Sequence, residues 1–252
     1  MRAAPVLTEH IPRSLRSCPP SLVLTAHGSV DPRSAAVTHA VAGRIRRLRP
    51  WLDVRAAFLE KTGPSLADVL AESRDATVVP FLLADAYHAR VDIPAVIDEV
   101  GRPVQRAEVL GEDPALLTVA RLRLSEAGVS PYDDGLGVLV VAVGSSNAVA
   151  NARTATVASA LANGTRWAGS RIAFATGPYA DLADGAAALR RSGAKRVVIM
   201  PWFLAHGRIT DRVADFAAAE DISMTQPLGS HNLVAATVLD RFDEVAGVRA
   251  AA

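Results

Sequence analysis

The sequence predicts an α/β protein of two tandem, similar domains, each a small parallel sheet flanked by helices, with the active-site cleft between them. Three observations carry the prediction. Short apolar runs alternate with stretches of helical periodicity, the pattern of a parallel sheet with right-handed crossovers. A turn-rich break follows at 128–136, with Gly128, Pro131, Asp133 and Asp134. After it the pattern restarts, and turn residues recur at nearly constant offsets: 116 from Gly28 to Gly144, 114 from Pro64 to Pro178, 121 from Pro80 to Pro201 and 118 from Leu110 to Leu228. A period of half the chain marks a duplicated domain and not a solenoid. The domains expected are thus 21–127 and 137–247, with a flexible leader at 1–20, a linker at 128–136 and a tail at 248–252.

Taken in order, the first strand spans 21–26 and ends in Ala26-His27-Gly28-Ser29. Asp31-Pro32 then supplies an N-cap and a first helical residue for a helix over 31–49, whose apolar positions Val37, Val41, Ile45 and Leu48 fall on one face. A strand at 54–59, a helix opening at Pro64 and a strand at 77–81 come next. The loop around His88 leads into a helix over 93–100, a strand over 104–110 and a helix over 114–127. In the second half, strands at 137–143, 171–176 and 197–201 repeat the first three, and Gly144-Ser145-Ser146-Asn147 stands where Gly28-Ser29 stood.

Half of the 252 residues are hydrophobic and the formal net charge is +1. That supports a sizeable core and supplies no electrostatic footprint for nucleic acid. No apolar run approaches a membrane span, and the first twenty residues lack the apolar core of a signal peptide, so a cytoplasmic protein is expected. The single cysteine, Cys18, supplies neither an internal disulfide nor a thiolate metal site. Any metal chemistry must use nitrogen and oxygen. The only lysines, Lys61 and Lys195, suggest no role at this level.

His27 stands at the carboxyl end of a strand, the edge where open parallel sheets bind ligands, and His88 lies in the loop that follows another apolar run. The duplication acts as an internal control. Val143 takes the place of His27, Ile209 that of His88 and Thr176 that of Glu60, so the metal-competent groups occur in the first half alone. Two imidazoles and a carboxylate suit a borderline divalent ion and leave coordination positions open. His10 and His39 read as incidental, His206 as able to reach the cleft from the far side, and His231 as a cap of the last helix.

The His27-Gly28-Ser29 strand end, the Phe58-Leu59-Glu60 segment, the His-x-Arg-x-Asp-Ile-Pro loop from His88 to Pro94 and the tandem repeat together resemble the CbiX/SirB family of sirohydrochlorin chelatases in its long, duplicated form. The likeness runs from Ser21 to about Val245. It departs at Ala86, where the family often has glycine. It implies chelatase-like domains and a class II chelatase that inserts Fe²⁺ or Co²⁺ into sirohydrochlorin without ATP and without a tightly bound cofactor. It also implies that His27 and His88 are the catalytic, metal-holding pair and that Glu60 assists.

In that chemistry the imidazoles hold the incoming ion and accept the pyrrole protons, and Glu60 orients a ring or aids proton removal. Ser29, Arg33, Arg90, Ser145, Ser146 and Arg208 are candidate donors for the carboxylates around the tetrapyrrole rim. Iron is favoured over cobalt and a monomer over a dimer. The alternatives are a metal or tetrapyrrole carrier using the same cleft and a histidine phosphatase, for which Ala26 stands where a phosphate-gripping arginine is needed.

Overall fold

The computed structural model describes residues 19–177 and 181–247. The leader histidine His10, Cys18, Pro178 and the tail at 248–252 lie outside the described residues. The first half runs β1 (Ser21–Ala26), α1 (Pro32–Leu48), β2 (Asp53–Phe58), α2 (Leu66–Glu72), β3 (Ala76–Pro80), α3 (Ile93–Glu99), β4 (Gln105–Arg106) and α4 (Pro114–Glu126). The second half repeats it as β5 (Leu136–Ala142), α5 (Ala148–Ala162), β6 (Gly169–Phe174), α6 (Leu182–Arg191), β7 (Arg196–Pro201), α7 (Arg208–Ala219), β8 (Ser223–Met224) and α8 (Asn232–Ala246). Each half builds a four-stranded parallel sheet, in the orders β2-β1-β3-β4 and β6-β5-β7-β8. The central strands β1 and β5 are buried along their whole length, as strands covered on both faces must be.

Local chemistry sets the helix starts. Asp31 and Asp113 accept hydrogen bonds from Arg33 N–H and Ala115 N–H, each followed by a proline at the first helical position. Asn147 caps α5, and the Nδ1 of His231 accepts from Leu233 N–H to cap α8. The second helix starts at Leu66 and not at Pro64, because the Ser65 hydroxyl caps it by accepting from Asp68 N–H.

Two further expectations are corrected. The strand foreseen over 104–110 is only Gln105–Arg106. Ala107 N–H still bonds Val78 C=O, but Pro80, two residues along β3 and facing the same edge, has no N–H with which to continue the ladder. Pro201 shortens β8 in the same way. The loop at His88 is also not a loop: residues His88–Asp92 form a π-helical turn that runs directly into α3. Pro94 explains the wider turn, since its ring crowds the carbonyl four residues back, at Arg90, and it offers no N–H to that oxygen.

The last helix of each half covers the other half. Helix α8 packs against α1, β3 and β4, and α4 packs against α5 and β7. The exchange is locked by matching arginines. Arg241 of α8 donates to the carbonyls of Val109 and Leu110, at 3.1 and 3.3 Å, and Arg123 of α4 donates to those of Pro227 and Leu228, at 3.0 and 3.1 Å. As a result the inner faces of both sheets share one core. Leu22, Leu24 and Ala26 of β1 join Val138, Val140 and Ala142 of β5 in it, while the alternate residues Val23, Leu139 and Val141 point to separate outer clusters. None of the described helices is long and apolar enough to cross a membrane.

Candidate functional site

The strand order places the site. Strand β1 lies between β2 and β3, so the chain leaves the carboxyl end of β1 in one direction and that of β3 in the other, and a crevice opens where they part. His27 follows β1 and His88 opens the π-helical turn after β3. Their rings face each other with centroids 4.1 Å apart and planes tilted by 30°. Glu60 is brought to them by a backbone clasp. Its N–H donates to His27 C=O at 3.0 Å, and Gly28, at φ 92°, passes so close that a Cβ there would lie 1.8 Å from the Glu60 carbonyl oxygen. Only glycine fits. The second half keeps the clasp, with Thr176 N–H on Val143 C=O at 2.9 Å and Gly144 at φ 90°, but without the functional side chains.

The site is polarised. His27 Nε2 stands 3.3 Å from Glu60 Oε1, and the same oxygen takes the Lys61 ammonium at 2.8 Å. His27 Nδ1 is buried without a hydrogen-bond partner. Across from it, His88 Nδ1 lies 2.5 Å from the Asp92 carboxylate, four residues on. An ionised carboxylate accepts only, so this nitrogen carries the hydrogen and the Nε2 lone pair of His88 is left free. Burial and the neighbouring His88 push the His27 pKa below its ordinary 6.5, against the pull of Glu60. The Lys61 hydrogen bond, with His27 beside it, holds the Glu60 carboxyl below the usual carboxylate range. At neutral pH the site therefore presents a neutral, lone-pair-bearing His27 beside an ionised carboxylate, which suits holding a cation and receiving a proton.

The histidines open onto a cleft of about 460 Å³ between the halves. Phe81, Leu82 and Leu83 line it on one side, and Trp202, Phe203, Leu204, Ile209 and Phe174 on the other. Val143 and Ile209, the counterparts of the two histidines, are thus cleft wall. The lining is mainly apolar and aromatic, the surface that a flat conjugated ring wants. Polar groups from Thr38, Ser145, Asn151 and Thr154 are set into it.

His27, Glu60 and His88 lie together, but not as a ready-made three-ligand cage. Among the described residues no group of three or more His, Cys, Asp or Glu is arranged to hold a metal ion. The rings stack instead of converging, and Glu60 is turned to Lys61. Of the rim candidates, Ser145 lines the cleft. Ser29 spends its hydroxyl on Asp31 N–H. Arg33 is paired with Asp31 and, at 2.5 Å, with Asp211 of the other half. Arg90 is paired with Asp85, while Ser146 and Arg208 are exposed outside the cleft lining. His206 bonds Gln226 at 2.8 Å and lies beside the lining residue Ala205, and His39 packs edge-on to Phe58 away from the site. Sequence reasoning missed Lys61 and Asp92. Spacing could have found Asp92, since residues four apart on a helical turn meet, but only if the turn had been foreseen as helical.

Comparison with known proteins shows the family and the fold. The CbiX family model matches the chain twice, over 21–127 and 137–245. A sirohydrochlorin cobaltochelatase of Priestia megaterium is 28% identical over 222 residues, covering 77% of this chain and 67% of the relative. A sirohydrochlorin ferrochelatase of the same organism is 26% identical over 184 residues, covering 68% and 69%. Among solved structures, SirB from Bacillus subtilis with Fe³⁺ superposes with a TM-score of 0.74 over 89% of this chain and 94% of its own, at 19% identity, which establishes a shared fold.

Proposed function

The chain belongs to the CbiX family, and from that premise we propose that it is a sirohydrochlorin chelatase, inserting a divalent metal ion into a carboxylate-rich tetrapyrrole without ATP. The observation that carries this reading is the His27–His88 pair, face to face at 4.1 Å on the wall of an apolar cleft. The macrocycle lies between the aromatic walls, and the metal is a substrate. It sheds water as it passes to the free Nε2 of His88, fixed in the required tautomer by Asp92, beside His27 Nε2 and the Glu60 carboxylate. As the metal enters the ring, two pyrrole protons leave. His27, neutral at working pH, accepts one, the Glu60 carboxylate beside it stabilising the imidazolium that forms, and His88 Nε2, released by the departing metal, accepts the other. Ser145, on the cleft lining, is the first candidate to meet a rim carboxylate; Arg33, Arg90 and Arg208 lie outside that lining, and the first two would serve only by exchanging their present partners. No tightly bound cofactor is needed, and the protein acts as a cytoplasmic monomer, because the two halves already supply both cleft walls within one chain.

The test is an anaerobic time course of the sirohydrochlorin absorbance spectrum with catalytic amounts of protein and either Fe²⁺ or Co²⁺, corrected for spontaneous insertion. Conversion over many turnovers is expected, and the ratio of the two rates assigns the metal, for which we favour iron. A single shift in proportion to protein that then stops would make the protein a carrier.

A further inference from the structure

The loop after β2 differs between the halves in a residue that the backbone does not favour. Lys61 sits at φ 59°, in the left-handed region, and Gly177, which follows Thr176 as Lys61 follows Glu60, sits at φ 81°. Both loops are closed by the same backbone bond, Glu60 N–H to His27 C=O and Thr176 N–H to Val143 C=O. The turn asks for glycine, because a Cβ in this conformation crowds the backbone. The copy without histidine has glycine. The copy with histidine has one of only two lysines in the chain.

What the lysine does there is visible. Its Nζ lies 2.8 Å from Glu60 Oε1, the oxygen that stands 3.3 Å from His27 Nε2. The Glu60 side chain is 44% exposed, and among the described residues no other Lys or Arg pairs with it. Without Lys61, a long side chain with several accessible rotamers would be left to the imidazole alone.

We propose that Lys61 is a positioning residue of the insertion site, holding the Glu60 carboxylate against His27, and that the chain tolerates a left-handed lysine for this purpose. The inference rests on the chelatase reading and adds to it a residue that neither composition nor motif singled out. The lowered pKa of Glu60, whose first cause is the Lys61 hydrogen bond, agrees with the clamp.

The test gives the first half the residue of the second, as Lys61→Gly, alongside Lys61→Arg, Glu60→Gln and the Glu60→Gln/Lys61→Gly double variant. Lys61→Gly is expected to melt within about 2 °C of the parent or above it, since relief of the strained φ offsets the chain entropy of glycine. Its kcat for insertion should fall about tenfold, with the tetrapyrrole KM within about twofold of the parent value. Lys61→Arg should recover part of the loss, and in the Glu60→Gln background Lys61→Gly should add no further loss. An unchanged kcat, a loss confined to KM, or fully additive losses would overturn the proposal while leaving the chelatase reading in place. A parent with no turnover would instead overturn that reading. Crystal structures of the parent and Lys61→Gly without substrate give a readout independent of activity: Glu60 should be ordered beside His27 in the first and turned away in the second, and an unmoved Glu60 counts against the clamp.

Discussion

At the end of its first strand the N-terminal half carries His27, and at the same place the C-terminal half carries Val143. After the third strands, His88 and Ile209 line the same cleft from opposite halves. Yet Gly28 and Gly144, Pro80 and Pro201, and Arg123 and Arg241 hold equivalent posts in both halves. The difference separates two kinds of demand. Residues that both halves keep satisfy backbone geometry or buried carbonyls, which any copy of the fold must do. Residues present in one half alone, namely His27, Glu60, Lys61, His88 and Asp92, satisfy nothing that the fold requires of the other half, and all of them meet at one place.

That contrast can be broken most directly at His88. His88→Ala should lower the insertion rate by at least about 10²-fold, the usual worth of a positioned proton acceptor. Ile209→Ala, its counterpart, should change the rate far less, and comparable losses in initial-rate assays would erase the distinction between the halves. A smaller effect is expected one layer out. Asp92→Ala should lower kcat by about 10-fold or more by freeing the His88 tautomer, and two-dimensional ¹H–¹⁵N spectra of the imidazoles should show Nδ1–H in the parent and a mixture in the variant.

The shared features should behave in the opposite way, affecting stability and not chemistry. Arg241→Ala strands the carbonyls of Val109 and Leu110 and leaves Asp113 without its cation. A loss of about 2 kcal/mol in denaturant unfolding is expected, with Arg123→Ala costing a similar amount and each purified variant still active at low temperature. A full loss of activity without a loss of stability would contradict this assignment.

The gentlest probe is pH. Because the His27 pKa in the folded protein lies below 6.5, the acid limb of the rate profile due to His27 should fall below 6.5. The sign for stability follows from linkage. Above 6.5 the ring is neutral whether folded or unfolded, and nothing is lost. As pH falls below 6.5 the unfolded chain takes up a proton that the folded one still refuses, so the parent loses stability there. A His27→Val variant should lose less over the same interval, and parallel stability curves for the two proteins would count against a depressed His27.

Much of this was legible in the sequence for physical reasons. Strand ends, proline-started helices and the duplication are local signals, and they singled out His27 and Glu60, which sit just past strand ends, and His88, in the segment between β3 and α3. The extent of β4 was not legible, since it depends on whether Pro80, some 25 residues earlier by number, faces the edge strand or the central one, which is a matter of register. Nor was the exchange of α4 and α8, because an amphipathic helix does not encode which sheet it covers. The π-helical turn at His88–Asp92 was hidden by a proline that reads as a boundary and acts as a distortion. Lys61 was passed over because its significance lies in a backbone angle and in a comparison with Gly177, neither of which composition displays.

The central claim is that one half does the chemistry and the other supplies a wall. It is tested most directly by running the anaerobic sirohydrochlorin time course on the parent, His27→Val and Val143→Ala at equal protein concentration. The account predicts many turnovers for the parent, no conversion above the spontaneous rate for His27→Val, and most of the parent rate for Val143→Ala, with all three proteins folded by circular dichroism. Multiple turnovers by folded His27→Val would contradict it.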